Sequence, residues 1–222
     1  MAITINGNGT VTGVSVGGLP DGIVDTDMLA ALAVSDAKIA NTTITDGKIA
    51  NTTISEGKLA ANVNTITEAD QWRIHTSLTG ITTGTDLTSN FERNDANFSK
   101  IGTGMSESSG IFTFPSTGIW MVKLQLYITS NVADNNWAGG NILISANSGS
   151  NWWTKAEGWT NLDGADGSTN NYGQTNTELI FDVTDASTHR VKFSVASDTT
   201  AVFHGGTDSN ISFMTFLRLG DT

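Results

Sequence analysis

No cysteine occurs anywhere in the sequence. Disulfides and thiolate metal sites are therefore excluded, and stability has to come from packing or assembly. Basic residues are scarce as well: 11 Lys and Arg stand against 22 Asp and Glu, a net charge of −11. A protein that tracks phosphates needs clustered Lys and Arg, so no nucleic-acid partner is expected. An electrostatic membrane anchor is disfavoured on the same ground. The excess of acid reads instead as a device that keeps a crowded or multimeric surface in solution. No apolar run approaches the roughly 20 residues that span a bilayer. The opening, MAITINGNG, lacks a basic segment followed by an apolar one, so the expectation is a soluble protein made in a cytoplasm without a secretory signal. Charged residues reach only 15%, and the place they leave is taken by Gly, Ser, Thr and Asn, with 24 Gly against 2 Pro. That mixture suits β-strands joined by many tight turns.

Four regions follow along the chain. Residues 1–23 alternate apolar and polar side chains on either side of Asn6-Gly7-Asn8-Gly9, the pattern of a β-hairpin. A lone hairpin is marginal in water, so Ile3, Ile5, Val11, Val14 and Val16 are candidate contacts of an N-terminal anchor. Residues 24–64 repeat a ten-residue phrase, clearest in VSDAKIANTT ITDGKIANTT ISEGKLAANV. Val24, Val34, Ile44 and Ile54 hold its first position; Leu29, Ile39, Ile49 and Leu59 hold its sixth. Ser35, Thr45 and Ser55 stand where a helix N-cap would, with Asp36, Asp46 and Glu56 in the favourable first-turn position. Each unit reads as one capped turn followed by a short extended stretch. Two or three apolar side chains per ten residues cannot enclose a core within one chain, so the repeat has to bury them against a neighbour. Symmetric contact between identical chains is the expected solution, which makes the eight repeat positions candidate trimer contacts of a shaft.

Residues 65–78, TITEADQWRIHTSL, form a connector in which Trp72 and Ile74 are expected to pack under the following domain. From 79 to 222 the chain reads as an all-β sandwich. FTFPSTGIWMVKLQLYITS alternates Phe112 and Phe114, then Ile119, Met121 and Ile128, around a turn at Pro115–Gly118. Five further strands are expected within 139–147, 177–183, 189–196, 200–206 and 210–220.

SGIFTFPSTGIWMVKLQLYI (109–128), with Gly110, Phe112, Phe114-Pro115, Gly118 and Trp120, resembles the strand-turn-strand signature of the C1q/tumour-necrosis-factor-like jelly roll. DSNISFMTFLRLG (208–220) is similar to that family's closing strand, although Thr215 stands where the family usually has Gly. FERNDANFSKIG (91–102) fits its lead-in strand. The resemblance implies a tight homotrimer with bundled N-terminal stalks and binding loops on the head. The N-terminal phrases, MAITINGNGTVTGVSVGGLPDGIVDTDML and DGKIANTTI, resemble the fibre, appendage and decoration proteins of tailed bacteriophages, marine ones especially. Together the two imply a virion protein whose partners are itself, capsid or tail proteins, and a host-surface glycan or receptor. A purely structural capsid decoration or cement protein is the alternative. A polysaccharide depolymerase, which needs paired carboxylates in a cleft, is the weakest reading.

Sharper motifs do not survive their context. Gly13-Val14-Ser15-Val16-Gly17 has the spelling of a nucleophile elbow without the parallel strand and helix the elbow needs. His75, His189 and His204 are scattered singly, with no metal-ligand spacing. Asp134, Asp163, Asp166 and Asp208 lie in turn-rich segments with no EF-hand spacing. No catalytic residue, metal or cofactor is therefore expected. Tryptophan is the stronger signal: Trp137, Trp152, Trp153 and Trp159 crowd into 23 residues, followed by Tyr172 in a polar loop. Aromatics among Asn, Asp and Gly can stack on sugar rings or grip a protein partner; core and subunit packing is the competing reading. If Trp152 and Trp153 share a strand they point to opposite faces.

Overall fold

The computed structural model describes residues 66–222 apart from 96–97, 133 and 165–169, the backbone of Thr4–Ile5 and Val11–Thr12, and Ile39 and Ile44. The chain divides into two compact units, Met1–Ala61 and Asn62–Thr222. In the first, β1 (Thr4–Ile5) pairs antiparallel with β2 (Val11–Thr12), Ile5 opposite Val11. That antiparallel pairing is the one expected of a hairpin. Ile39 and Ile44 sit in bends with exposed side chains. The other repeat positions (Val24, Leu29, Val34, Ile49, Ile54 and Leu59) and Ile3, Val14 and Val16 lie outside the described residues, as do Ser15 and Asp166.

The second unit is an all-β sandwich, with no helix among the described residues. One sheet contains β3 (Ala69–Ile74), β4 (Leu78–Ile81), β6 (Phe91–Arg93), β7 (Lys100–Ile101), β10 (Gly118–Ser130), β13 (Asn171–Val183), β15 (Ala201–Phe203) and β16 (Phe213–Gly220). The other contains β5 (Thr85–Asp86), β8 (Ser106–Ser108), β9 (Ile111–Thr113), β11 (Ala138–Ser145), β12 (Trp153–Thr160) and β14 (Arg190–Ser197). Every pairing is antiparallel.

Strand β10 organises the first sheet. Its whole length pairs with β13 on one side; on the other, β16 takes its first half and β15 its end. Trp120, Val122, Leu124, Leu126 and Ile128 point inward and are buried. The inward register is thus the even one. Ile119 and Met121, which the sequence reading groups with Ile128, point outward and are half-buried. Residues 119–122 are apolar without a break, so alternation alone could not choose the face.

The core is aromatic at its centre. Phe112 meets the rings of Trp72, Phe91, Phe193 and Phe216 with centroids 5.1–5.7 Å apart. Phe114 packs on Trp120 at 5.3 Å and Phe181 at 5.9 Å. Phe112, Phe114, Trp120 and Phe216, which carry much of the jelly-roll likeness, are therefore core residues. Gly110 has a positive φ of 81°, and a Cβ there would lie 1.8 Å from the Leu87 carbonyl oxygen, so only glycine lets the β8–β9 turn approach that close.

The segment read as a connector supplies β3, hydrogen-bonded between β16 and β6. It is held by charge as well as by the ladder. Asp70 is fully buried and accepts from the Arg93 guanidinium at 3.0 Å, the Trp72 indole N–H at 2.9 Å and the Met105 N–H at 2.8 Å. Arg93 also donates to the Met105 carbonyl and stacks over Trp72, 4.5 Å from the ring centroid. On the other face Arg73, itself buried, bridges Glu92 and Asp95. A buried carboxylate is tolerated only when its oxygens are satisfied in this way.

Candidate binding face

The five aromatic candidates fall in four places, not one. Trp137 and Trp159 come together on the outward face of the β11–β12–β14 sheet. Trp159 stands opposite Gly139 across the β11–β12 ladder, and its ring lies over that glycine, since a Cβ on Gly139 would come within 2.8 Å of it. Trp137 immediately precedes β11. The two rings meet edge to face, 5.2 Å between centroids and 90° between planes, and their residues are 40% and 42% exposed. Trp152 lies on the same face at the far end of β12, where the Lys192 ammonium sits 4.8 Å over its ring. Trp153 is exposed one residue further on, turned away from Trp152 as strand alternation demands. Tyr172 belongs to the other sheet: it opens β13 and stacks on Tyr127, 6.2 Å between centroids.

The chain beneath the Trp137–Trp159 pair is held by a set of hydrogen bonds. The Trp137 carbonyl accepts from the Asp198 N–H at 2.9 Å. Buried Asn135 and Ser197 bond each other side chain to side chain at 3.0 Å, and the Asn136 side chain donates to the Asp198 carboxylate at 2.7 Å. Trp159 donates its indole N–H to Glu157 at 3.1 Å. A surface whose rings are already fixed loses little entropy when a ligand settles on it. Among the described residues neither Glu157 nor Asp198 has an ion-pair partner, so the plate is flanked by two uncompensated negative charges.

The outward face of the other sheet has a different character. Leu217, Met121 and Ile180 form a continuous apolar row across β16, β10 and β13. Ile180 is 66% exposed, and Leu219, the extra residue at the bulge where β16 meets Ile119, is 51% exposed. Ile119, Phe213 and Tyr127 are half-buried on the same face. His204 joins it at the far end, 5.3 Å from the Tyr127 ring and 2.8 Å from the Thr129 hydroxyl; burial holds its pKa below the ordinary 6.5.

Sequence reading missed Glu157, Asp198 and the apolar row. Glu157 was legible in principle, because a residue two before Trp159 shares its face in a strand, but WTKAEGWT does not look like one. Ile180 was hidden inside Leu179-Ile180-Phe181, where one residue of three has to face outward. His75 and His189 bond locally, to the Thr76 hydroxyl and the Asp185 carbonyl. No three His, Asp or Glu side chains among the described residues are placed to hold a metal ion.

No protein-family model matches the chain, and no curated protein matches it. Solved structures do. The chain is similar to the Eiger TNF of S. frugiperda, with a TM-score of 0.52 at 9% identity, over 69% of this chain and 93% of that one. Murine APRIL aligns over 68% of this chain and 98% of its own with a TM-score of 0.48 and 10% identity. The fold is a TNF-like jelly roll.

Proposed function

We propose that the chain is a non-enzymatic, homotrimeric virion appendage. In this reading 1–23 attaches it to the particle, the repeat of 24–64 is a shaft shared by three chains, and the jelly roll is a distal knob that contacts the host surface. The observation that carries the assembly is the apolar row Leu217–Met121–Ile180, with Leu219 beside it. Full burial of an exposed side chain of this kind gains about 1.5–3 kcal/mol, and a single chain leaves Ile180 and Leu219 exposed and Met121 and Leu217 only half-buried. The exposed Ile39 and Ile44 repeat the same need in the shaft. Burial against further copies of the chain would meet the need of each surface. The TNF-like fold and the jelly-roll signature agree with a threefold arrangement, and the likeness of residues 1–64 to phage appendages supports the particle.

The knob then works by multivalency. Three weak sites on one trimer, and many trimers on one particle, act together through high effective concentration. The Trp137–Trp159 plate is the surface offered for that contact. Negative-stain imaging of particles carrying a tagged chain tests the location, and adsorption of the purified protein to bacterial cells tests attachment. Saturation of capsid positions without any cell adsorption would instead identify a cement protein.

A further inference from the structure

An edge-to-face pair has a geometric consequence. Where one indole stands at 90° on the face of another, the corner beside it is bounded by two π-faces at right angles. Both faces carry the negative side of an aromatic quadrupole, so the corner attracts a positive group and is shaped for a rounded one. Both tryptophans are about two-fifths exposed, and their ring centroids sit 5.2 Å apart on a hydrogen-bonded backbone. Two negative charges stand beside it, and Lys155, two residues before Glu157 on β12, forms no ion pair with either among the described residues. Glu157 touches the Trp159 indole N–H, Asp198 is fixed beside Trp137 through Asn136, and neither is neutralised by a cation among the described residues. Lys192, at the far end of the same face, is occupied by Asp86 at 2.5 Å and lies over Trp152. A phosphate, sulfate or uronate would meet two bare carboxylates. A cation would meet two π-faces and two counter-charges.

We propose that the corner between Trp137 and Trp159 binds a quaternary ammonium group, of the kind a choline-bearing surface polymer or lipid headgroup presents. This rests on the reading of the knob as an attachment surface and names the chemistry it attaches to. Two faces with flanking carboxylates favour trimethylammonium over ammonium, because methyl groups shed water easily and fill the corner while the charge stays spread over them.

The test is a titration of the full-length protein with choline chloride, read by calorimetry and by proton NMR of the choline methyls. The neutral isostere 3,3-dimethylbutan-1-ol and sodium chloride at matched ionic strength are run beside it. The expected result is saturable binding with the methyl signal moved upfield by the ring currents, and affinity at least about tenfold weaker for the neutral isostere. Glu157→Gln is expected to weaken choline by about tenfold at low salt, and Trp159→Leu to abolish the upfield shift; circular dichroism checks that both fold. Equal binding of choline and its isostere would overturn the proposal, as would no choline binding by the wild type, a result that depends on no variant. Choline-decorated vesicles and choline-decorated cell-wall polymer, compared at equal choline content, separate the two sources. Adsorption to bacterial cells is scored independently. Adsorption that needs Trp159 while choline fails to bind overturns the ammonium assignment and leaves attachment standing; choline binding without adsorption upholds the assignment and removes the attachment reading.

Discussion

The two outward faces of the sandwich rest on one core and share almost nothing else. The face of the larger sheet is a row of Leu217, Met121 and Ile180 with exposed Leu219 at its end. The face of the smaller sheet has its rings paired, its backbone pinned and two carboxylates unneutralised beside them. An apolar row is satisfied by burial alone and has no orientation of its own. A right-angled aromatic corner with fixed charge specifies the shape and sign of what fills it. The first suits a second copy of the chain, and the second a ligand. Area does not separate them; polarity and preorganisation do.

Five substitutions probe how far the two faces are independent. The largest effect is expected where both faces lose support together. Phe112→Ala empties the middle of the aromatic core and should cost about 3–5 kcal/mol, read as a lowered midpoint in chemical denaturation, with assembly and ligand binding lost in parallel. Asp70→Asn comes next. It keeps the shape but leaves Arg93 without its buried counter-charge, and breaking such a pair costs about 3 kcal/mol. Its effect should centre on β3 and the 100–105 segment, seen as faster amide exchange there.

The third change separates the faces. Ile180→Asp places a charge in the apolar row, and should reduce the particle mass while leaving the unfolding midpoint of the knob nearly unchanged, as surface substitutions do. Trp137→Leu should do the reverse, preserving mass and removing binding. If either variant loses both properties, the faces are not independent. The smallest effect concerns pH. The folded-state pKa of His204 is lowered by burial from 6.5, so the unfolded chain binds the proton more readily. Stability is then fully present above about pH 6.5 and declines as pH falls through the folded pKa. His204→Asn should flatten that part of the stability profile, measured by denaturation between pH 7 and pH 5.

Much of the fold was legible because strand alternation and turn residues agree with each other along most of the chain. The strands at 138–145, 190–197 and 213–220 lie close to where GGNILISAN, HRVKFSVA and NISFMTFLRLG place them. The inward register of β10 was not legible, because Ile119 to Val122 are apolar on both faces. β3 was not legible either, since ADQWRI owes its place to Asp70, whose partners Arg93 and Met105 lie 23 and 35 residues away. The aromatic site was half legible. Composition pointed to Trp137 and Trp159, but crowding in sequence also drew in Trp152, Trp153 and Tyr172, which the ladder sends elsewhere. Pairing decides which aromatics meet, and spacing along the chain does not carry it.

In the proposed trimer the apolar row is covered by further copies of the same chain. Light scattering of the full chain at micromolar concentration decides this, with the chain beginning at Asn62 measured beside it. The account predicts three times the 23.3 kDa chain mass for the full protein and a trimer for the shortened chain as well, both lost with Ile180→Asp. A monomeric mass for the full chain, with Ile180 and Leu219 left open to water, would contradict it.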